Sequence, residues 1–443
     1  MEFDLVIDGG RVYVDGRFAS LNVGVLAGRV AAMSALPMRT HAQGTSINAA
    51  GKLVFPGTID THVHFRDPGR TDKEDFESGT RAAAAGGVTT VLDIQNNVPL
   101  TTDATVADEK HAAIASKAHV NYGIYGSVGV QNLDKLAGMA DRVVAFKAFM
   151  TKSVGPLTVT DLGDLSKAFA AIKGLGRVFT IHAESDAIVQ VAKEGLPDHI
   201  SSHVKSRPRV AEWVAVAEAI ELCREYRVPL NIPHISTGRA ATLVKQAKED
   251  GLPVSGATCA HYLLFTDDDV IAGGGFWKVN PPIKFAEDRE QLLAAVKSGA
   301  IDHVHSDHAP HTLEEKSKNF LAIPSGIPGI QHQLPALLEL AARGALNYED
   351  VGRLLCDGPA QAFGLDRGRL TVGAAADVVI VDPSVETCSA PSDLQSKTGH
   401  SIFTGLTLRG RVATTILAGT VIFDGAGLPR LATPSGQRLS ARV

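Results

Sequence analysis

Short apolar runs separated by glycine turns mark both ends of the chain. Near the start, Leu5-Val6-Ile7, Arg11-Val12-Tyr13-Val14, Asn22-Val23-Gly24-Val25 and Val30-Ala31-Ala32-Met33 are broken by Gly9-Gly10, Asp15-Gly16 and Gly28. Such runs between turn residues predict strands. The pattern returns late in the chain, in Ala376-Asp377-Val378-Val379-Ile380-Val381, Val412-Ala413-Thr414-Thr415-Ile416-Leu417 and Thr420-Val421-Ile422-Phe423-Asp424. The first set is too short to close a good core alone. The two ends, 1–52 and 365–443, are therefore expected to pair into one small β-sandwich domain, with 53–364 inserted between them.

The inserted segment alternates strand and helix patterns. Leu53-Val54-Phe55 reads as the buried run that opens it, and strands are expected at 89–94, 119–128, 143–150, 177–182, 229–234, 253–259 and 301–307. Helices are expected at 74–86, 103–117, 161–173, 212–226, 239–250, 288–298, 334–343 and 348–356, the fourth showing a helical period in Trp213, Val216, Ile220 and Leu222. Eight β/α units in a segment of this length predict an α/β fold, a (β/α)8 TIM-type barrel.

Composition narrows the function. Of 443 residues, 44% are hydrophobic and 21% charged, enough apolar material for a large core. The net charge of −5 argues against a nucleic-acid partner. No apolar run is long enough to suggest a membrane span. The start, Met1-Glu2-Phe3-Asp4-Leu5, has neither the basic residues nor the apolar stretch of a signal peptide. Cys223, Cys259, Cys356 and Cys388 lie far apart, with no C-x-x-C pair. A cytoplasmic protein is expected.

The candidate chemistry begins at Gly57-Thr58-Ile59-Asp60-Thr61-His62-Val63-His64-Phe65-Arg66-Asp67-Pro68-Gly69. Strand side chains alternate, so His62 and His64 share a face, as do Asp60 and Arg66. Two imidazoles about 7 Å apart along a strand can grip one metal ion if the fold supplies more ligands; otherwise they are ordinary core or surface histidines. Further candidates end other strands: Lys147 the fourth, His182 the fifth, His234 the sixth, and Asp307-His308-Ala309-Pro310-His311 the eighth. Barrel chemistry sits at that face. Lys147, flanked by Phe146 and Phe149, is either a buried cation paired with an acid such as Asp307 or an uncharged amine able to add carbon dioxide as a carbamate.

His62-Val63-His64, Lys147, His182, His234 and Asp307 resemble the binuclear metal set of the amidohydrolase superfamily, in the cyclic-amidase branch of dihydroorotases, allantoinases and hydantoinases (dihydropyrimidinases). The resemblance covers nearly the whole chain, including the split β domain. It implies two divalent ions, most often zinc, bridged by carbamylated Lys147. His62, His64 and Asp307 would hold one ion, and His182 and His234 the other. It also implies Asp307 as the catalytic proton carrier in reversible hydrolysis of a cyclic amide.

Arg66, Asn96 and His311 match positions that dihydroorotases use for the substrate carboxylate. Lys278-Val279-Asn280-Pro281-Pro282-Ile283 resembles the segment whose asparagine lies near the pyrimidine ring, and Gly326-Ile327-Pro328-Gly329 the loop after it. A guanidinium beside two cations calls for an anion, either a substrate carboxylate or a salt bridge to Asp67 or Asp93. Ile94-Gln95-Asn96-Asn97, Thr258-Cys259-Ala260-His261-Tyr262 and Gly329-Ile330-Gln331-His332 depart from the dihydroorotase pattern, the last two towards allantoinase. The expected activity is dihydroorotase, converting N-carbamoyl-L-aspartate and L-dihydroorotate in pyrimidine synthesis. An allantoinase or hydantoinase is the enzyme alternative, and a non-catalytic scaffold the other. The resemblance further implies a homodimer or homotetramer and raises aspartate transcarbamoylase as a partner.

The remaining features read blandly. His41, His111, His119, His199, His203 and His400 are expected on the surface or in satisfied structural roles. His303 and His305 are expected to fill the barrel or back the ligands, and His261 either faces the site or belongs to the core. The acidic run 72–77 should start and solubilise a helix. The basic stretch 202–209 reads as a solvated loop, and 319–328 as an irregular segment.

Overall fold

The structure is a computed structural model, and it describes residues 1–152, 157–425 and 434–439. Eight parallel strands follow one another in chain order around a barrel: Thr58–Val63, Val88–Asp93, Asn121–Ser127, Ala145–Phe149, Val178–His182, Leu230–Ile232, Val254–Cys259 and His303–His305. Most of their residues are buried on both faces, which explains why they read as continuous apolar or small-residue runs. The eighth strand closes against the first. Val63 bridges His308 in parallel, His64 N–H donates to the His308 carbonyl at 2.8 Å, and Ser306 N–H donates to Asp60 Oδ1 at 3.2 Å.

Helices cross the outside between strands, and their starts are written in the sequence. Asp75, Asp103, Asp161 and Thr237 each accept from a backbone N–H of the first turn, satisfying donors the helix cannot use. The helix Arg209–Tyr226 ends on Arg227 in the left-handed conformation, φ 57°. These helices bury alanine, leucine and valine against the strands in one large core.

The chain ends build the second sheet, as expected. Its order is Thr420–Phe423, Thr407–Leu417, Val378–Cys388, Leu53–Pro56, Glu2–Val14, Arg17–Leu26 and Arg29–Ser34, with Arg39–Asn48 pairing to Glu2–Val14. Leu5, Ile7, Val12, Val54, Val378 and Ile380 share its core. Two details differ from expectation. Leu53-Val54-Phe55 does not open the barrel; it lies between the two ends, parallel to Glu2–Val14 and antiparallel to Val378–Cys388. The strand Arg39–Asn48 was not expected, because its sequence RTHAQGTSIN has no apolar run and most of its residues are exposed or half-buried.

Candidate active site

The first barrel strand ends at Val63, and the chain continues through His64, Phe65 and Arg66 into the mouth of the barrel. Among the described residues eight non-glycine positions take a positive φ, and four are expected site residues: Arg66 (62°), Asn96 (115°), His234 (40°) and Asp307 (49°). Such conformations persist only where surrounding structure holds them, and they gather where side chains must be aimed. Each lies just past the end of its strand.

They open on a cavity of about 520 Å³. Its floor carries His62, His64, His182, His234 and Asp307, and its wall carries Arg66, Asn96, Asn280 and His311. Nine of the ten expected site residues therefore line one cavity, and the tenth, Lys147, lies buried beside it, 4.8 Å from the Phe149 ring.

The donor geometry suits metal ions. One ligand atom from each of His62, His64 and Asp307 falls within 4.8 Å of the others, with both histidine Nε2 atoms 3.4 Å from Asp307 Oδ1. His182 Nδ1 lies 3.2 Å from His234 Nε2. Two ligands on one tetrahedral zinc stand about 3.3 Å apart, so both groups are spaced as ligands. Burial holds His62, His182 and His234 below the ordinary histidine pKa, leaving neutral rings with lone pairs. The Lys147 amine is fully buried without a hydrogen-bond partner among the described residues, and burial pushes its pKa down to about 7. It makes no salt bridge to Asp307 or to any other described acid. The amine is thus buried beside the candidate ligands without the ion pair that one expectation gave it.

Arg66 is settled in the same way. Of its expected salt-bridge partners, Asp67 pairs with Lys117 at 2.8 Å and Asp93 with Lys110 at 2.5 Å. The buried guanidinium donates through Nη2 to the Pro310 carbonyl and His311 Nε2, both at 3.3 Å. The Asn96 amide, oriented with its oxygen towards Arg66, accepts from Nη1 at 2.8 Å. No described carboxylate makes a salt bridge to Arg66, its Nε has no partner, and burial lowers its pKa only to about 10, so it stays a cation. Asn280 Oδ1 is likewise buried and unpartnered among the described residues.

Behind the ligands lie groups that the sequence analysis missed or misread. Glu184, 1% exposed, accepts from His182 Nε2 at 2.7 Å, which fixes the tautomer and leaves Nδ1 bare. Arg207 pairs with Glu184 and holds its carboxyl well below the usual range. The stretch 202–209 is thus not a solvated basic loop: Ser202, His203 and Arg207 are buried, and His203–Ser206 forms a helical turn. The period-two spacing of Glu184 after His182 was the available signal for it. The acidic run also divides. Asp75 caps the helix, but Glu74 is fully buried, 3.3 Å from His308 and bonded to Ser396.

The other histidines mostly follow expectation. The His305 ring stacks on His62 at 4.6 Å and accepts from His234 N–H at 3.0 Å, while His303 lies buried beneath. His261 belongs to the core beside Tyr262. His111, His203 and His400 bond to backbone carbonyls, His41 is half-buried beside Asp4, and His199 is exposed. His119 differs: it is buried, and neither ring nitrogen has a partner among the described residues. Over the mouth, the segment expected to be irregular contains a short turn, Phe320–Ala322, and brings Pro324, Ser325 and Gly326 to the cavity. A side chain at Gly326 (φ 146°) would meet the Ala309 carbonyl oxygen at 2.3 Å, so only glycine allows this close approach.

Histidines and an aspartate gathered at the mouth of a barrel, with a buried lysine beside them, make a donor set suited to divalent ions. Comparison with known proteins identifies the family. Residues 53–422 match the amidohydrolase family. An allantoinase of Rubrobacter xylanophilus is 38% identical over 96% of this chain and 95% of its own length. A dihydroorotase of Trichlorobacter lovleyi is 35% identical over 95% of this chain and 100% of its own. The solved structure of L-hydantoinase (dihydropyrimidinase) from Arthrobacter aurescens superposes with a TM-score of 0.95 at 29% identity, covering 99% of this chain and 100% of that one. The chain belongs to the amidohydrolase family and is a hydrolase of its cyclic-amidase branch.

Proposed function

We propose that this enzyme hydrolyses, reversibly, a cyclic amide carrying a carboxylate, with L-dihydroorotate as the substrate and N-carbamoyl-L-aspartate as the product. The observation that carries this reading is Arg66: a buried cation facing the cavity, with no salt-bridge partner among the described residues. A substrate carboxylate completes it through charge-assisted hydrogen bonds.

His62, His64 and Asp307 would hold one divalent ion, His182 and His234 a second, and carbamylated Lys147 would join them. Such ions supply Lewis acidity, making water a nucleophile near neutral pH and polarising the ring carbonyl. Asp307 then receives the proton of the attacking water and delivers it to the leaving amide nitrogen, first as base and then as acid. Arg66, Asn96 and His311 orient the carboxylate, and Asn280 offers its unpartnered oxygen to a ring N–H. Burial of this floor removes competing water.

The allantoinase reading has one specific support, the 38% identity to an allantoinase. Of the three departures from the dihydroorotase pattern, the two that lean towards allantoinase do not touch the cavity, whereas the first places Asn96 and Asn97 in its lining. Gln331 bonds to the backbone of Asp393 and Gln395, Cys259 sits against His305 Nδ1, and Gln95 is buried outside the lining. Arg66→Ala separates the readings. We expect kcat/KM for L-dihydroorotate to fall about 100-fold or more, with metal content unchanged. Unchanged dihydroorotate turnover would remove Arg66 from recognition and with it the carboxylated substrate.

A further inference from the structure

The wall of the cavity holds a charge cluster larger than the expected Arg66, Asn96 and His311. Lys73 and Glu315 also line it. Lys73 Nζ lies 2.6 Å from Glu315 Oε1 and 3.4 Å from His311 Nδ1. Glu315 Oε2 lies 3.1 Å from the same Nδ1. On the other side of the ring, His311 Nε2 is 3.3 Å from Arg66 Nη2. The histidine is fixed from behind as well, because His400 Nε2 contacts its carbonyl at 2.9 Å.

These contacts define the proton. Arg66 offers only donors, so the nitrogen facing it must be bare. The single proton of neutral His311 is then on Nδ1, donated to Glu315 Oε2 at 3.1 Å, while the nearby Lys73 ammonium, also a donor only, spends its proton on Glu315 Oε1 at 2.6 Å rather than on the more distant Nδ1. A bare Nε2 pointing at the guanidinium repels a carboxylate that tries to settle on Arg66. The ring becomes a donor to that carboxylate only by gaining a second proton, and Glu315 is already placed to stabilise the resulting imidazolium.

We propose that Glu315 and Lys73 are specificity-determining residues that make His311 a proton-linked half of the carboxylate site: a carboxylated ring binds together with one proton from solvent, taken up at His311 Nε2, whereas a neutral ring binds without it. This rests on the carboxylated-substrate reading above. Facing His311 from the surrounding elements are Arg66, Lys73 and Lys316, which oppose its protonation, Glu315, which favours it, and the Ser325 backbone. In the free protein the three cations and burial hold the ring neutral. An incoming carboxylate changes that balance, so affinity for a carboxylated ring falls as pH rises through neutrality, and affinity for a neutral ring does not.

The test uses metal-loaded enzyme dialysed free of excess ion and titrated calorimetrically at pH 8 in two buffers of different ionisation enthalpy. The probes are orotate, a carboxylated ring, and dihydrouracil, a neutral one. The wild type should take up more protons per orotate than His311→Asn, the difference growing when the titration is repeated at pH 7 and pH 6. Glu315→Gln should cut the uptake by more than half and weaken orotate about tenfold. Lys73→Met, which removes an opposing charge, should extend uptake to higher pH, the reverse direction. Equal uptake in the wild type and His311→Asn, with orotate bound in an Arg66-dependent way, overturns this inference and leaves the carboxylate reading standing. Binding of dihydrouracil but not orotate overturns both.

Discussion

At the scale of single residues, two buried cations carry the account in opposite ways. Arg66 keeps its charge because a guanidinium gives up its proton far above neutrality even when burial lowers its pKa to about 10. Lys147 is free to lose its charge because an ammonium in the same surroundings titrates at about 7. One is suited to hold an anion and the other to become one. Lys147→Met should therefore leave a folded protein with less than about half the wild-type metal, read by elemental analysis, and bicarbonate should speed metal loading of the wild type only. Full metal content in the variant would contradict the bridging role. The sequence showed both residues because Arg66 follows the first barrel strand and Lys147 lies within the fourth, each matching a position of known chemistry. Lys73 and Glu315 were not legible in this way. They are separated by most of the barrel, and only its closure brings them to 2.6 Å.

At the scale of elements, the strand ends were the readable part. His62, His64, His182, His234 and Asp307 each fall at or just beyond a strand terminus, Lys147 lies inside the strand Ala145–Phe149, and a parallel barrel sends the strand termini to one mouth. What supports them from the connecting segments was harder to see. Arg207 looked like part of a basic surface loop, yet its guanidinium is spent inside the protein on Glu184, which in turn orients His182. Glu184→Gln should weaken metal binding about 10-fold or more in competition with a chelator, with the protein still folded, because the amide oxygen keeps the hydrogen bond but loses the charge. An unchanged affinity would reduce Glu184 to a packing role. On the same segment, His203 is buried, contacts the Val279 carbonyl at 2.6 Å and titrates at about 3. The folded state thus binds this proton less readily than the unfolded one. Its contribution is present above pH 6.5 and is lost as pH falls towards 3, about 2 kcal/mol of it by pH 5. His203→Gln should flatten the fall in urea-unfolding stability between pH 6.5 and 5; an unchanged slope would assign that fall to other groups.

At the scale of the whole molecule, the chain ends and the barrel form a connected body. Asn121 of the third barrel strand donates to Asp377 of the end sheet at 2.9 Å, Thr415 donates to the Ala84 carbonyl at 2.8 Å, and the buried Glu74 links the barrel to Ser396. The pairing of distant ends was legible from their matching strand patterns. The joining role of Leu53–Pro56 was not, because a short apolar run fits either sheet equally well and only pairing decides. Among the described residues no helix is long and apolar enough to cross a membrane.

The central claim is that this fold presents a two-metal floor beneath a carboxylate-binding wall. The most direct test is hydrolysis by zinc-loaded protein of L-dihydroorotate, allantoin, hydantoin and dihydrouracil, each with and without a chelator. Chelator-sensitive turnover of L-dihydroorotate, with the neutral rings at least about 100-fold slower in kcat/KM, is the predicted result. Turnover of allantoin or another neutral ring in preference to dihydroorotate, with metal bound, would contradict it.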